Sequence, residues 1–289
     1  MRWPEDNATD GELNVDMRSR ENACQSRQGL IADRMRALLM PIMLLAFPLS
    51  TALAQSPPFD DPEFAFGSQT IDGTWRRDVI GKFFAVKHFF DGRYLVFQYS
   101  PETNIITWDA FGVFRQDGSV LREKVKFCSS EDLLNQKFSW SLGFTGAGVY
   151  SQSSSGYKEV WSRLSGESNS STLEGVNDFS SKKTELDGVW YRSWSADKTC
   201  IKLFDKGRAY CFAFTNDKKV IQFFAAGVFA MDSSGVLREK YIYTTENHKR
   251  YKNALLLSDA TLAADKKSFE QEDTNGVKEK WTRWGNPSN

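Results

Sequence analysis

From residue 70 onward, short runs rich in β-branched and aromatic residues alternate with x-Gly pairs. The pairs are Asp91-Gly92, Asp117-Gly118 and Ser155-Gly156, then Lys206-Gly207, Ser234-Gly235 and Asn275-Gly276. Such pairs are the chemistry of tight hairpin turns, whose central residues need positive φ. The strand-like runs themselves follow one another at roughly the 8 to 12 residue spacing of an all-β fold, and consecutive hairpins make an antiparallel meander. The first half of the pattern predicts eight strands, near residues 75–79, 82–90, 93–99, 105–114, 119–127, 137–144, 148–153 and 157–164.

The pattern is then written a second time. Asp72-Gly73-Thr74-Trp75 recurs as Asp187-Gly188-Val189-Trp190, and Phe90-Asp91-Gly92-Arg93 as the looser Phe204-Asp205-Lys206-Gly207-Arg208. Gly112-Val113-Phe114 recurs as Gly227-Val228-Phe229, Val-Leu-Arg-Glu-Lys at 120–124 recurs at 236–240, and KEVWSR at 158–163 returns as KEKWTR at 278–283. Order is kept while the offset drifts only from 114 to 120, so this is an internal duplication with small insertions at turns. Leu, Arg, Glu and Lys are good helix formers. The repeated pentapeptide nevertheless reads as a strand, because Gly118 and Gly235 precede it and VKF and YIYTT continue it.

An open meander of eight strands leaves two reactive edges, which closure removes. A two-sheet sandwich is the alternative, but sandwiches favour long crossovers and tight hairpins favour up-and-down closure. The expectation is therefore an all-β chain of two tandem eight-stranded antiparallel up-and-down barrels, at 70–165 and 186–285. Between them lies a linker, 166–185, rich in Ser, Gly and charge. As a flexible coil it would span about 25 Å. Its Leu173, Val176 and Phe179 are spaced for a short helical turn that could dock on a barrel.

The N-terminal region changes the picture of location. Met35-Arg36 leads into the apolar run ALLMPIMLLAF and then Ala52-Leu53-Ala54, the small-x-small pattern of a signal peptidase site, so residues 35–54 read as a signal peptide and the mature chain begins near Gln55. The run is short and proline-interrupted for a span of about 20 apolar residues, so no stable membrane span is expected after cleavage. Residues 1–34 are polar, mixed in charge and too long for the front of a signal, and read as a non-native or disordered extension. The expected location is outside the cytoplasm, periplasmic or extracellular.

The chain balances 37 Lys+Arg against 37 Asp+Glu, without the basic stripe of a nucleic-acid binder. Beyond the signal it holds only Cys128, Cys200 and Cys211, which is no disulfide framework. Cys200 and Cys211 flank a predicted hairpin turn, close but not directly opposite, and stand as a disulfide candidate with poor bridging geometry.

Gly73-x-Trp75 and Gly188-x-Trp190 near the start of each unit, with Arg163 and Arg283 near the end, resemble the lipocalin (calycin) signature. Each unit is similar to the lipocalin-like domains of bacterial exported proteins. The resemblance implies an early Trp packed beneath a late Arg, a barrel closed at one end, and the binding of small hydrophobic ligands. The units are short beside typical lipocalins and no helix-rich segment follows them.

Strand alternation places Glu123, Glu159, Trp161 and Arg163 inward in the first unit, and Glu239, Glu279, Trp281 and Arg283 inward in the second. Leu121, Val125 and Phe127 share the face of Glu123. A carboxylate facing a low-dielectric interior needs a partner, and Arg163 and Arg283 are the expected ones. Such a network, together with Trp75 and Trp190, would either plug the barrel floor or anchor a ligand carboxylate. The strand aromatics Phe83, Phe84, Phe97, Trp108, Phe138, Trp140, Phe212, Phe214, Phe223 and Phe224 fill a core or line a pocket. Adjacent rings must point to opposite faces, which leaves some for a contact between barrels or with a partner protein.

His88 and His248 lie in different units. His88 aligns with Lys202 at an offset of 114, an outward position. No Cys/His cluster, phosphate-cradling loop or nucleophile elbow occurs, so no metal, cofactor or catalytic residue is expected. The expected function is binding of a small hydrophobic or amphipathic ligand; the alternative is a non-catalytic cell-envelope interaction or inhibitor module with solid barrels, and a third is a hydrolase or isomerase on the same scaffold.

Overall fold

In the computed structural model of the chain, Asp91-Gly92, Ser155-Gly156 and Lys206-Gly207 take positive φ at both residues, 45° and 69°, 46° and 83°, and 47° and 82°. This is the turn geometry that joins two right-twisted strands through only two residues. The structure describes residues 70–79, 82–146, 148–164 and 183–285. The extension 1–34, the signal segment 35–54 and nearly all of the linker, including Leu173, Val176 and Phe179, lie outside the described residues. Among the described residues no helix is long and apolar enough to cross a membrane.

The hairpins carry sixteen strands. The N-terminal repeat holds β1 (Gly73–Val79), β2 (Phe83–Phe90), β3 (Arg93–Tyr99), β4 (Ile105–Asp117), β5 (Val120–Cys128), β6 (Lys137–Phe144), β7 (Val149–Ser154) and β8 (Tyr157–Arg163). The C-terminal repeat holds β9 (Gly188–Ser195), β10 (Lys198–Asp205), β11 (Arg208–Thr215), β12 (Ile221–Met231), β13 (Val236–Thr245), β14 (Leu255–Leu262), β15 (Ser268–Asp273) and β16 (Lys278–Arg283). Strands β9 to β16 pair antiparallel, each with the next, and β16 returns to β9 through Thr282–Tyr191 and Arg283–Trp190, forming a closed eight-stranded barrel. Strands β1 to β8 pair in the same order, and β8 meets β1 at Trp75–Arg163 and Arg76–Ser162. A short parallel ladder, Thr244–Ile105 and Thr245–Ile106, joins β13 to β4, and Cys128 bridges to Val220.

Three apolar clusters follow from these strands. One fills the inside of the N-terminal repeat around Trp75, Phe89, Phe114, Tyr150 and Trp161, and one fills the C-terminal repeat around Trp190, Phe204, Phe229, Phe269 and Trp281. The third takes side chains from both repeats, among them Phe97, Phe111 and Phe127 with Phe212, Phe214 and Phe224. Phe89 and Phe90, like Phe223 and Phe224, divide between an interior cluster and this shared one.

One alternation departs from the sequence expectation. Leu121, Glu123 and Val125 face the interior, but Phe127 joins the shared cluster instead. The cause is a bulge: Gly112 pairs with Val125 while Phe111 pairs with Phe127, so Lys126 is an extra residue and the faces exchange. The C-terminal repeat does the same at Ile242, with Gly227 opposite Tyr241 and Ala226 opposite Tyr243. A Cβ on Gly112 or Gly227 would collide with the backbone of Lys124 or Lys240, which accounts for the glycine in both copies of Gly-Val-Phe.

The surface between the repeats also buries polar groups. His88 accepts or donates a 2.8 Å hydrogen bond between Nδ1 and Thr74 Oγ1, and its Nε2 lies 3.1 Å from Asp205 Oδ2 of the other repeat. The ring lies against Phe90 and Tyr210, each at 5.3 Å between centroids. Burial holds His88 below the ordinary histidine range despite Asp205. His88 therefore leaves its strand on the outer face yet is buried, and its register partner is not Lys202. Lys202 pairs with Trp190 as Lys87 pairs with Trp75. Asp109 is buried opposite Phe97 with Oδ1 unpartnered, and burial pushes its carboxyl up to about 8.

Two outcomes follow from this shared surface. Phe212→Ala removes a ring that meets Phe111 at 5.2 Å and Phe224 at 5.9 Å. It should cost about 3–5 kcal/mol, and calorimetry should show both repeats melting in one lowered transition; two transitions with one unmoved would contradict the shared core. For Asp109, the folded state keeps a proton that the unfolded chain loses above its ordinary value of 3.8, so its contribution is full below that pH and fades as pH rises toward 8. Asp109→Asn, which cannot ionise, should gain in melting temperature over the parent progressively between pH 4 and 8 and hold a constant margin above.

Candidate functional site

Each repeat brings together the same three residue types, a glycine, a tryptophan and an arginine. Trp75 donates its indole N–H to Ile71 O at 2.8 Å, and Trp190 donates to Leu186 O at 2.7 Å. The guanidinium of Arg163 lies 4.3 Å over Trp75 and that of Arg283 4.0 Å over Trp190. Arg163 donates to Asp72 O, while Arg283 donates to Asp187 O, Glu185 O and Lys266 O. Gly73 and Gly188 have φ of 129° and 140°, and a Cβ there would come within 2.7 and 2.5 Å of the arginine Nη1 atoms. Glycine is thus required twice over, by backbone conformation and by the cation stacked above the tryptophan.

This geometry corrects the expected Glu/Arg network. Arg163 is exposed at the end of β8, away from Glu123 and Glu159, and Arg283 is likewise committed to backbone carbonyls. The interior carboxylates find other cations. Lys87 Nζ sits 2.6 Å from Glu123 Oε1, and Arg77 Nη2 sits 2.9 Å from Glu159 Oε1. Glu159 also accepts from Gln152 Nε2 at 2.6 Å, Trp161 Nε1 at 3.0 Å and Tyr157 OH at 3.0 Å. The Lys87 ammonium lies 5.2 to 5.6 Å from the ring centres of Phe89, Tyr94 and Trp161.

The C-terminal repeat builds the same arrangement. Lys202 Nζ reaches Glu239 Oε2 at 2.6 Å and donates to Gln271 Oε1 at 3.0 Å; Gln271 Nε2 in turn donates to Glu279 Oε2 at 2.7 Å. Glu279 pairs with Arg192 and accepts from Trp281 Nε1 at 3.3 Å. Burial would pull Lys202 down, but the attraction and hydrogen bond of Glu239 outweigh it and hold the ammonium above its ordinary value. Of the expected site residues, Glu123, Glu159, Trp161, Glu239, Glu279 and Trp281 thus meet in two equivalent chains. Trp75 with Arg163 and Trp190 with Arg283 form separate stacked pairs instead.

Sequence reasoning missed Arg77, Lys87 and Gln152 with their counterparts Arg192, Lys202 and Gln271. Keeping the offset of 115 that relates Trp75 to Trp190 would have aligned Arg77 with Arg192 and Lys87 with Lys202. Comparing registers shows how the repeats compensate. Leu121 pairs with Trp140 and Leu237 with Ser258, so a tryptophan in one repeat is a serine in the other. Trp140 donates its indole N–H to Glu123 Oε2 at 3.0 Å; in the C-terminal repeat Tyr241, at the bulge position of Val125, donates its hydroxyl to Glu239 Oε1 at 2.6 Å. Each carboxylate keeps one cation and one bulky neutral donor, supplied from different strands.

Cys200 and Cys211 are buried thiols with sulfurs 3.6 Å apart, diagonal across β10 and β11 and not joined. A recess of about 360 Å³ at the β7–β8 hairpin is lined by Ser141, Ser153, Ser154, Ser155, Gly156, Tyr157 and Lys158. Among the described residues no group of three or more His, Cys, Asp or Glu could hold a metal ion.

Glu123→Gln should leave the Lys87 ammonium buried without a counter-charge and cost about 3–5 kcal/mol in chemical unfolding. Adding Lys87→Met should recover most of that loss, because the pair is removed together; a double variant no more stable than Glu123→Gln would place the effect elsewhere.

No protein-family model matches the sequence, and no curated protein does. Among solved structures, chains of the Helicobacter pylori β clamp align with it. The clamp bound to a DNA ligase peptide is 11% identical, over 78% of this chain and 62% of that one, with a TM-score of 0.13. The clamp in complex with carprofen is 12% identical over 75% and 57%, and that with 5-chloroisatin 10% over 81% and 59%, both with TM-scores of 0.14. The chain spans about three fifths of the clamp chains it aligns with, and at these TM-scores the likeness carries no argument about fold or function.

Proposed function

We propose that the chain is an exported protein of two tandem lipocalin-like barrels with filled interiors, acting as a non-catalytic interaction module of the cell envelope. The observation that carries this reading is the state of the interior charges. Lys87, Glu123, Glu159, Lys202 and Glu239 are all buried, and each is neutralised by a partner of its own chain. An interior arginine free to take a ligand carboxylate would have favoured the small-ligand reading, but Arg163 and Arg283 stack on Trp75 and Trp190 instead. The twofold occurrence of Gly-x-Trp beneath a late Arg supports the lipocalin-like assignment, and the apolar run before Ala52-Leu53-Ala54 supports export.

With full barrels, recognition falls to the outer surface, as interaction proteins use exposed apolar groups beside polar rims. Tyr191, Trp194 and Val277 are large apolar residues exposed on the C-terminal repeat. Native mass spectrometry of the gently purified protein should give the mass of the bare chain. Thermal shift with fatty acids, haem and isoprenoids should find no stabilisation. A stoichiometric bound small molecule would overturn the filled-barrel reading.

A further inference from the structure

Both barrels are joined along a seam that is only half closed by backbone. Across β9 and β16 the ladder holds Trp190–Arg283 and Tyr191–Thr282, with Trp284 N donating to Val189 O, and stops there. By strand alternation the next bonded pair would be Ser193 with Lys280, whose N–H and C=O groups point along the seam. A bulge at Trp194, between the pairs Ser193–Thr199 and Ser195–Lys198, interrupts the ladder at the end of β9, where the indole is 46% exposed and meets Phe223 edge-on at 6.1 Å. The open stretch is spanned from inside only by the Arg192–Glu279 ion pair, with Arg192 5.1 Å over Trp281. The Nε of Arg192 is buried and has no acceptor.

The N-terminal repeat has the same seam with one more tie. Its ladder stops at Arg76–Ser162, and Arg77 pairs with Glu159 while its own Nε also lacks an acceptor. Here Tyr157 crosses the gap: it receives a hydrogen bond from Arg77 Nη1 at 3.3 Å and donates to Glu159 at 3.0 Å. Tyr157 precedes Lys158 as Val277 precedes Lys278, so the position that ties the first seam is a valine in the second, 56% exposed. The C-terminal Arg–Glu pair is correspondingly more open, at 25% and 22% exposure against 19% and 5%.

Two facing strand edges with unpaired backbone are complementary to one kind of occupant, an extended chain that supplies donors and acceptors at the same spacing. We infer that the seam between β9 and β16 is a docking slot for an extended peptide segment of a partner protein. The segment adds a strand along Ser193 and Lys280, packs an apolar side chain on Trp194 and Val277, and offers a carboxylate or carbonyl to the Nε of Arg192. This rests on the interaction-module reading and names its site.

The test selects binders from a phage-displayed library of random linear heptapeptides against the full chain, then measures the synthetic peptides by titration. Selected peptides should lose about tenfold in affinity against Val277→Tyr, which restores the tie of the first repeat, and that variant should melt no lower than the parent. Binding should vanish when alternate peptide amides are N-methylated, and Lys280→Pro, which removes one seam-side N–H while sparing the β15 ladder, should weaken it as well. Amide exchange should slow at Ser193 and Lys280 on binding. The slot is refuted if no peptide is selected, or if the selected peptides bind both variants like the parent or protect amides elsewhere. That failure leaves the filled-barrel reading standing, which falls instead to a bound small molecule in the native mass spectrum.

Discussion

A lysine ammonium buried among aromatic rings has to be answered by a carboxylate, and that requirement organises the interior of both repeats. Lys87 and Lys202 lie on second strands and their glutamates on fifth strands, so each pair links strands that are not neighbours in the sheet. Removing two charges from water costs several kcal/mol per ion unless geometry and hydrogen bonds are good. The extra donors, Trp140 in one repeat and Tyr241 in the other, meet that condition from different strands. A second Arg–Glu pair, linked through Gln271 to the first in the C-terminal repeat, extends the satisfied chain to the seam.

With one face turned to the interior clusters, the strands bury their other face by meeting another sheet. Strands β2 to β4 and β10 to β12 do so against each other through the aromatic cluster that both repeats share. The bulges at Lys126 and Ile242 serve this double burial. By exchanging faces partway along β5 and β13, they send Phe127 and Tyr243 to the shared surface while Val125 and Tyr241 stay inside. Two groups sit awkwardly there, the neutral His88 and the raised carboxyl of Asp109, and both tie the stability of that surface to pH.

Much of the strand layout was legible in the sequence, because hairpin turns and duplicated motifs are local signals. The strands expected in the first half agree with β1 to β8 within one to three residues at each end. Glu123 and Glu239 are buried on the face that simple alternation assigns them. Their counter-ions were not legible by the same rule. Arg163 satisfied the alternation but sits at the last position of β8, where the strand has left the interior, and a period of two says nothing about depth along a barrel. Phe127 was misplaced because a bulge leaves almost no trace in its own strand; its trace is the glycine opposite, Gly112, repeated as Gly227. Lys87 was hidden by a one-residue slip that set His88 against Lys202, an error that exchanges the faces of an entire strand.

The duplication supplies its own control for separating fold from function. Features kept in both repeats with different residues, such as the neutral donor to the interior glutamate, answer a requirement of the barrel itself. Features lost from one repeat without replacement answer nothing the fold needs, and Tyr157 is of that kind: the C-terminal repeat closes through a ladder of the same two-pair length without it, leaving Val277 exposed at that position. A barrel that holds its shape with a weaker seam has an edge that can pair elsewhere. Exposed apolar groups at such an edge cost solubility and invite self-association unless a partner covers them. The asymmetry between two copies of one unit therefore lies at the C-terminal seam, whereas the buried lysine–glutamate pairs of the interiors are kept in both copies.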